Sequence, residues 1–301
     1  MRASLKSFCI ALAAGAVVAA FAAKPALAGD MPELYFVDAH SQLPGGLDPA
    51  KIIPLMNEAG VWRTILSARN DRDPEDVEKI ANEHPDRIAA AVRSKGKSFI
   101  KNSPEFKKLI SRQMSQPAYK AMAEVLLFHA QKGRKAPQIE VAIDSPQAQQ
   151  LLDITIKKKW PFIAHYEFKA AGSDKSQFMG AFESTLRAHP AHPFALIHMG
   201  QLGADEAKRL IAAHGNVHFL MSHSNPVTRA ENPGQPWANL FDGDQLSAEW
   251  LAVILANPER FVLAFDNVWP EHWGRLYLDQ AVLWRNTLSK LAPAVAHAIA
   301  H

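Results

Sequence analysis

Thiol chemistry is almost missing from this chain: among 301 residues the one cysteine is Cys9, inside an N-terminal stretch that reads as a removable leader. A disulfide scaffold and a thiolate metal site are both excluded for the remainder. Signatures of nucleotide and acyl-enzyme chemistry are missing too. There is no Gly-x-Ser-x-Gly elbow and no Gly-x-Gly-x-x-Gly after the first apolar run. Gly96-Lys97-Ser98 ends like a phosphate loop, but Ala91 stands where that motif requires its first glycine. Nor is there a surplus of one charge. Lys and Arg number 33 against 30 Asp and Glu; without Arg2, Lys6 and Lys24 of the leader, 33 − 3 leaves 30 of each. With no Lys/Arg run carrying interleaved aromatics, nucleic acid is excluded as a partner.

The leader itself has a basic start, an apolar core over 8–23 and the ending Ala26-Leu27-Ala28. That is the pattern of a secretory signal peptide cleaved after Ala28, with export to the periplasm or medium as the consequence. Its apolar core is too short and alanine-rich for a membrane span. The remaining 301 − 28 = 273 residues, 29–301, suit one domain of the (β/α)8 size class, about 250 residues.

Along the chain, apolar runs alternate with helical patterns, which implies parallel strands covered by helices. Strands are expected at 35–43, 61–68, 88–92, 122–128, 161–164, 194–197, 217–221 and 260–265. Residues 101–120 read as a polar helical insertion, 225–246 as a long loop over a site, and 279–301 as a terminal helix. The expected fold is an α/β (β/α)8 TIM barrel.

What sits at the strand ends gives the chain its chemistry. In 35–43 the polar residues Asp38, His40 and Gln42 occupy alternate positions and so share a face. Glu124 lies in the fourth strand, His165 follows the fifth, His198 the sixth, His223 the seventh and Asp266 the eighth. The carboxyl ends of all strands in a parallel barrel surround one mouth, so these donors would meet there. Imidazole and carboxylate suit a divalent ion such as zinc, which acidifies water, and a neighbouring carboxylate such as Asp266 can move the proton. Taken singly, His165 or His198 is an ordinary core histidine, and their shared position at successive strand ends reverses this; Glu124 is equally a solvated helix residue or a ligand. Arg69 and Arg93, also at strand ends, are either carboxylate or phosphate anchors or surface ion-pair residues. Trp269 and Trp273 wall the pocket or pack its rim, and His223 is assigned to substrate contact. His189 and His192 read as exposed turn residues, and His297 and His301 as tail.

Val37-Asp38-Ala39-His40, Ala123-Glu124-Val125, Pro161-Phe-Ile-Ala-His165, Leu196-Ile-His198-Met199-Gly200 and Arg260-Phe-Val-Leu-Ala-Phe-Asp266 follow one another in a familiar order, with His84-Pro85-Asp86-Arg87 before the third strand. Over 33–275 the chain resembles the metal-dependent hydrolases of the amidohydrolase superfamily, more closely its amidohydrolase-2 and TatD-type branches than ureases or dihydroorotases. The resemblance implies His40 as a first-strand ligand, His165 and His198 as ligands or transition-state partners, and Asp266 as ligand and proton shuttle, around one divalent ion, zinc or else manganese. Gln42 replaces the second histidine of the opening motif, and a neutral amide is the weaker donor. Phe265 stands where a small residue usually precedes the aspartate.

The expectation is an exported hydrolase whose metal-activated water attacks an amide, lactone or ester of a small molecule, with Asp266 and His198 catalytic and Gln42 or Glu124 assisting the ion. One alternative is non-oxidative decarboxylation of a carboxylated ring. Another, kept open by Gln42, is a metal-free barrel that binds a small molecule or a partner protein. A homo-oligomer also stays open.

Overall fold

The computed structural model describes residues 34–69, 71–132 and 136–301; the expected leader lies outside them. The first strand, Phe36–Leu43, runs parallel to the second, Val61–Ala68, and that to the third, Ile88–Val92, whose Ile-Ala-Ala-Ala-Val is buried throughout. The fourth stave is broken. Its first half, Tyr119–Met122, pairs with the third strand, and its second half, Val125–His129, pairs with the fifth, Phe162–Tyr166. Ala123 spans the break by donating to Val92 O at 3.0 Å, and Glu124 sits in it. The sixth strand is Phe194–Leu196, the seventh Val217–Leu220 and the eighth Phe261–Val262, all parallel.

The backbone beyond Val262 closes the ring. Ala39 N donates to Leu263 O, Asp266 N to His40 O and Gln42 N to Asn267 O, at 2.8–3.1 Å. Eight staves therefore form a closed (β/α)8 barrel without a free edge. Helices Ile52–Ala59, Pro74–Glu83, Pro146–Lys158, Lys175–Ala188, Ala204–Ala213, Ala248–Ala256 and Arg275–Leu288 cover it. Proline opens two of them, where its missing N–H costs nothing, and Asp73 caps Pro74–Glu83 by accepting from Glu75 N at 3.0 Å.

The main core lies between staves and helices. There Phe162, Phe182 and Phe194 are wholly buried and pack tilted or edge to face, each stabilising the fold by about 2–3 kcal/mol through burial. A separate cluster inside the barrel is small: Ala39, Ile163, Ala195, Ile197, Leu220 and Ala264. Ala91, Ala121 and Ala123 form a third. Short side chains here leave the mouth above them to polar groups.

Several expected boundaries move. Residues 101–120 are no single insertion: helices Lys97–Ile100 and Pro104–Met114 precede a fourth strand that starts at Tyr119. The stretch 225–246 holds helix Pro226–Glu231 and a hairpin, Phe241–Asp242 with Gln245–Leu246. The terminal helix is two, Arg275–Leu288 and Pro293–Ala300, because Pro293 opens a second. His192 is buried, not exposed, with Nε2 3.1 Å from Thr155 Oγ1. His301 stacks on Tyr35, ring centres 4.0 Å apart.

Candidate metal centre

Three consecutive staves end in left-handed backbone. His198, His223 and Asp266 have φ of 53°, 56° and 52°. Outside glycine this conformation costs about 1–2 kcal/mol per residue, and it persists where the surroundings over-determine it. Each of the three side chains is buried at the mouth.

They meet there around one carboxylate. His40 Nε2 lies 3.5 Å from Asp266 Oδ1, while His198 Nε2 and His223 Nε2 lie 3.5 and 3.6 Å from Oδ2. His40 Nε2 and Asp266 Oδ1 are fully buried and make no hydrogen bond. An unpaired buried polar atom costs about 1–3 kcal/mol, so two facing each other point to a missing partner between them. A tetrahedral ion with bonds of about 2.0–2.1 Å spaces its donor atoms about 3.3–3.5 Å apart. His198, His223 and the Asp266 Oδ2 they share have the spacing to hold a divalent cation, while His40 faces the other oxygen of Asp266 in a separate group with Glu124. Ser222 Oγ, 3.0 Å from His198 Nδ1, fixes that ring so that Nε2 faces Asp266, and the His198 and His223 rings stack at 4.6 Å.

Glu124 anchors a second arrangement. Its Oε1 accepts from Gln42 Nε2 at 3.1 Å and from the Lys95 ammonium, and its Oε2 lies 2.5 Å from His165 Nδ1. The opposite nitrogen of His165 faces Glu167 Oε1 at 3.4 Å. Glu167 in turn accepts from Ala130 N at 2.7 Å and from Lys132, whose ammonium also reaches His129 Nε2 at 3.2 Å. A row of opposite charges, Lys95, Glu124, His165, Glu167 and Lys132, thus crosses the floor of the mouth.

Asp38 stands apart from this. The first strand's register slips between Asp38 and Ser41, so Asp38 turns onto the seam with the eighth stave, not into the mouth. It accepts from His40 N at 3.2 Å, Ser41 Oγ at 2.5 Å and Phe265 N at 2.9 Å, and Asn267 N donates to Ser41 Oγ at 3.1 Å.

Charge states follow from these contacts. Burial alone would raise the Glu124 carboxyl, but Lys95 and His165 hold it well below the usual carboxylate range. Burial likewise opposes ionisation of Glu167, yet His165 and Lys132 bring it to about 2. His165 is raised despite burial by Glu124 and Glu167, and His40 despite burial by Glu124 and Asp266. His223, lowered to about 4, and His198, lowered well below the ordinary imidazole value, are driven mainly by burial. Neutral imidazole is the form a metal takes.

The cavity over these groups has a volume of about 750 Å³. Gln42, Glu124, His165, His198, His223, Asp266, Arg69 and Trp269 all line it, and His40 lies beneath. The Arg69 guanidinium rests on the Trp269 ring, 3.7 Å from its centre. Arg93 does not line the cavity: its backbone N–H is held by Gln113 Oε1 at 2.8 Å, and its guanidinium turns to Arg72 O at 3.5 Å. Trp273 packs below the rim and donates to Gln42 O at 2.9 Å. Lys95, His129, Lys132, Glu167 and Trp237 also line or support the mouth and are not among the donors expected from the sequence. Glu167 carried a signal, two residues past His165 on the same run; Lys95 lies in a loop three residues beyond its strand and carried none.

No protein-family model matches the chain, and no curated protein matches it in sequence. Solved structures do share its fold. A probable 2-pyrone-4,6-dicarboxylic acid hydrolase from Acinetobacter baumannii, solved with citric acid bound, aligns with a TM-score of 0.54 at 11% identity, over 89% of this chain and 97% of that one. A dihydroorotase from Saccharomyces cerevisiae, in complex with 5-fluoroorotic acid, aligns at 0.55 and 12%, over 89% and 82%. An uncharacterised TIM-barrel protein from Bordetella bronchiseptica aligns at 0.53 and 14%, over 83% and 78%. At these identities the likeness is one of fold.

Proposed function

We propose that the chain is an exported metal-dependent hydrolase of the amidohydrolase type that opens an ester, lactone or amide in a small carboxylated molecule. The observation that carries this reading is the pair of imidazole Nε2 atoms, of His198 and His223, gathered 3.5–3.6 Å from Asp266 Oδ2 in a buried group with cation-sized spacing. His198, His223 and Asp266 would hold one divalent ion, zinc or manganese, with His40 on the other oxygen of Asp266. When bound, such an ion supplies Lewis acidity to the scissile carbonyl and to water. His223 thereby moves from substrate contact to ligand. Gln42, Glu124 and His165, first assigned to the ion, are engaged with one another and with Lys95.

The remaining steps belong to the chain's own side chains. Asp266 takes a proton from the attacking water and returns it to the leaving group. Arg69, held flat on Trp269, grips a substrate carboxylate, and the Lys132 ammonium, 5.7 Å from the centre of the Trp237 ring, adds positive charge across the mouth. Trp237 and Trp269 line the cavity and exclude bulk water. A carboxylated pyrone hydrolase and a dihydroorotase with this fold are consistent with a small, carboxylated ring as the substrate. Export rests on the leader read at 1–28 ahead of a single barrel over 29–301, and intact-mass measurement of the exported protein should begin at Gly29. Among the described residues no helix is long and apolar enough to cross a membrane.

Protein purified without chelator should carry about one zinc or manganese per chain and hydrolyse members of a panel of carboxylated lactones, esters and cyclic amides. A metal-free protein that still hydrolyses them refutes the assignment of the ion. Arg69 beside the centre also suits decarboxylation, and carbon dioxide release without ring opening would favour that reading over hydrolysis.

A further inference from the structure

Among the described residues four groups of side chains around the mouth have the donor types and spacing to hold a cation: His198, His223 and Asp266; His40, Glu124 and Asp266; Glu124, His165 and His198; and His129, His165 and Glu167. A lysine has already entered three of them. Lys95 sits on Glu124 Oε1, which two of these groups share, and Lys132 sits on Glu167 and His129 in another. Of these, the set made by His198, His223 and Asp266 is the one that no lysine ammonium has entered among the described residues. We infer that Lys95 is a resident cation of the centre, a positioning residue whose ammonium takes the Glu124 carboxylate and so confines the protein to one divalent ion, on the Asp266 side.

The inference rests on the metal reading above and adds what excludes a second ion. Glu124 Oε1 already has two donors, Lys95 and Gln42, and Oε2 has His165, so three of the carboxylate's about four lone-pair sites are taken and Oε1, the oxygen nearer His40, has none left for an incoming cation. The ammonium is also a like charge beside any ion that approached Glu124, in a place where both partners are almost wholly buried and solvent screening is weak. Lys95 can reach there because Ser94 ties its loop to the broken fourth stave: Ser94 Oγ donates to Glu124 O at 2.6 Å. The break that carries Glu124 and the loop that carries Lys95 are thus fixed to each other. With Lys95 in place the half of the mouth holding Gln42, Glu124 and His165 is neutralised by protein, and the other half is left for the ion.

The test is metal stoichiometry by elemental analysis after equilibration with excess zinc and removal of the unbound metal. Wild-type protein should retain about one zinc per chain and Lys95→Met about two, the second lost again in Lys95→Met/Glu124→Gln. Lys95→Arg, which keeps the charge, should stay at one. Lys95→Gln serves as a second neutral variant should Lys95→Met fail to fold, with circular dichroism confirming the fold of each. One zinc in wild type and in both neutral variants overturns the role of Lys95 but leaves the metal reading standing. Two zincs in wild type overturn it as well. No zinc in wild type overturns the metal reading itself, and this inference with it.

Discussion

Replacing Asp38 tests how the barrel is closed, because its carboxylate sits at the join between the first and last staves. The residue is fully buried and accepts from two backbone N–H groups, His40 and Phe265, and from the Ser41 hydroxyl. Asp38→Ala leaves both N–H groups buried without an acceptor. At about 1–3 kcal/mol each this amounts to about 2–6 kcal/mol, a large part of the about 5–15 kcal/mol that holds an ordinary domain folded. Asp38→Asn keeps an oxygen for the two N–H groups and turns its amide to the Ser41 oxygen, so near neutral pH it should stay within about 1 kcal/mol of wild type. The charge adds a second signature. Burial pushes the Asp38 carboxyl up to about 7 from 3.8, even though Ser41, Phe265 and His40 all favour its ionised form. A raised carboxyl contributes stability that is complete below 3.8 and lost as pH rises through about 7. Asparagine has no such dependence, so the balance should move in favour of Asp38→Asn between pH 4 and 7 and level off above, by at most about 4 kcal/mol in all. Urea unfolding followed by far-ultraviolet circular dichroism at fixed zinc measures all three proteins. Equal losses for Ala and Asn, or a difference between Asn and wild type that does not change with pH, would refute the reasoning.

The other expectations concern the mouth. His223→Asn should release the bound metal and abolish the zinc-dependent rise in Tm, which for wild type at a hundredfold excess over Kd is worth about 2.7 kcal/mol; calorimetry with and without zinc decides it. Arg69→Met removes a charge-assisted contact and should raise KM for a carboxylated substrate by about 10- to 100-fold while kcat changes little, an outcome read from steady-state kinetics. Glu167 titrates at about 2 against an ordinary 4.5, so its stabilisation is present above 4.5 and disappears as pH falls towards 2. Wild type should exceed Glu167→Gln by about 3 kcal/mol at pH 7, with the gap closing through that window in urea titrations.

How legible was this molecule in its sequence? The staves with β-branched and aromatic runs, such as 61–68, 194–197 and 217–221, were placed within a residue, since apolar alternation with helices admits few other folds. The fourth was not, because Tyr119-Lys-Ala-Met-Ala123 has the composition of a helix and becomes a strand only through pairing with Ala90–Val92. At the site, strand-end position alone brought His40, Glu124, His165, His198, His223 and Asp266 to one mouth. It did not separate them into two sets, since that depends on Lys95, a loop residue whose reach is decided by Ser94. His192 misled for a related reason: His-Pro-Ala-His-Pro looks like a solvated turn, and its partner Thr155 belongs to a helix nearly forty residues away.

The unusual handedness of the backbone at His198, His223 and Asp266 bears on how any scan of this mouth should be read. Truncation to alanine at these positions removes a donor yet keeps the torsional penalty, so a loss of folding would be mistaken for a loss of chemistry. Asparagine settles more readily into that twist and glycine accepts it freely. A trio of such replacements, compared with their alanine counterparts, would tell how much of each residue's importance lies in its side chain and how much in the bend that aims it.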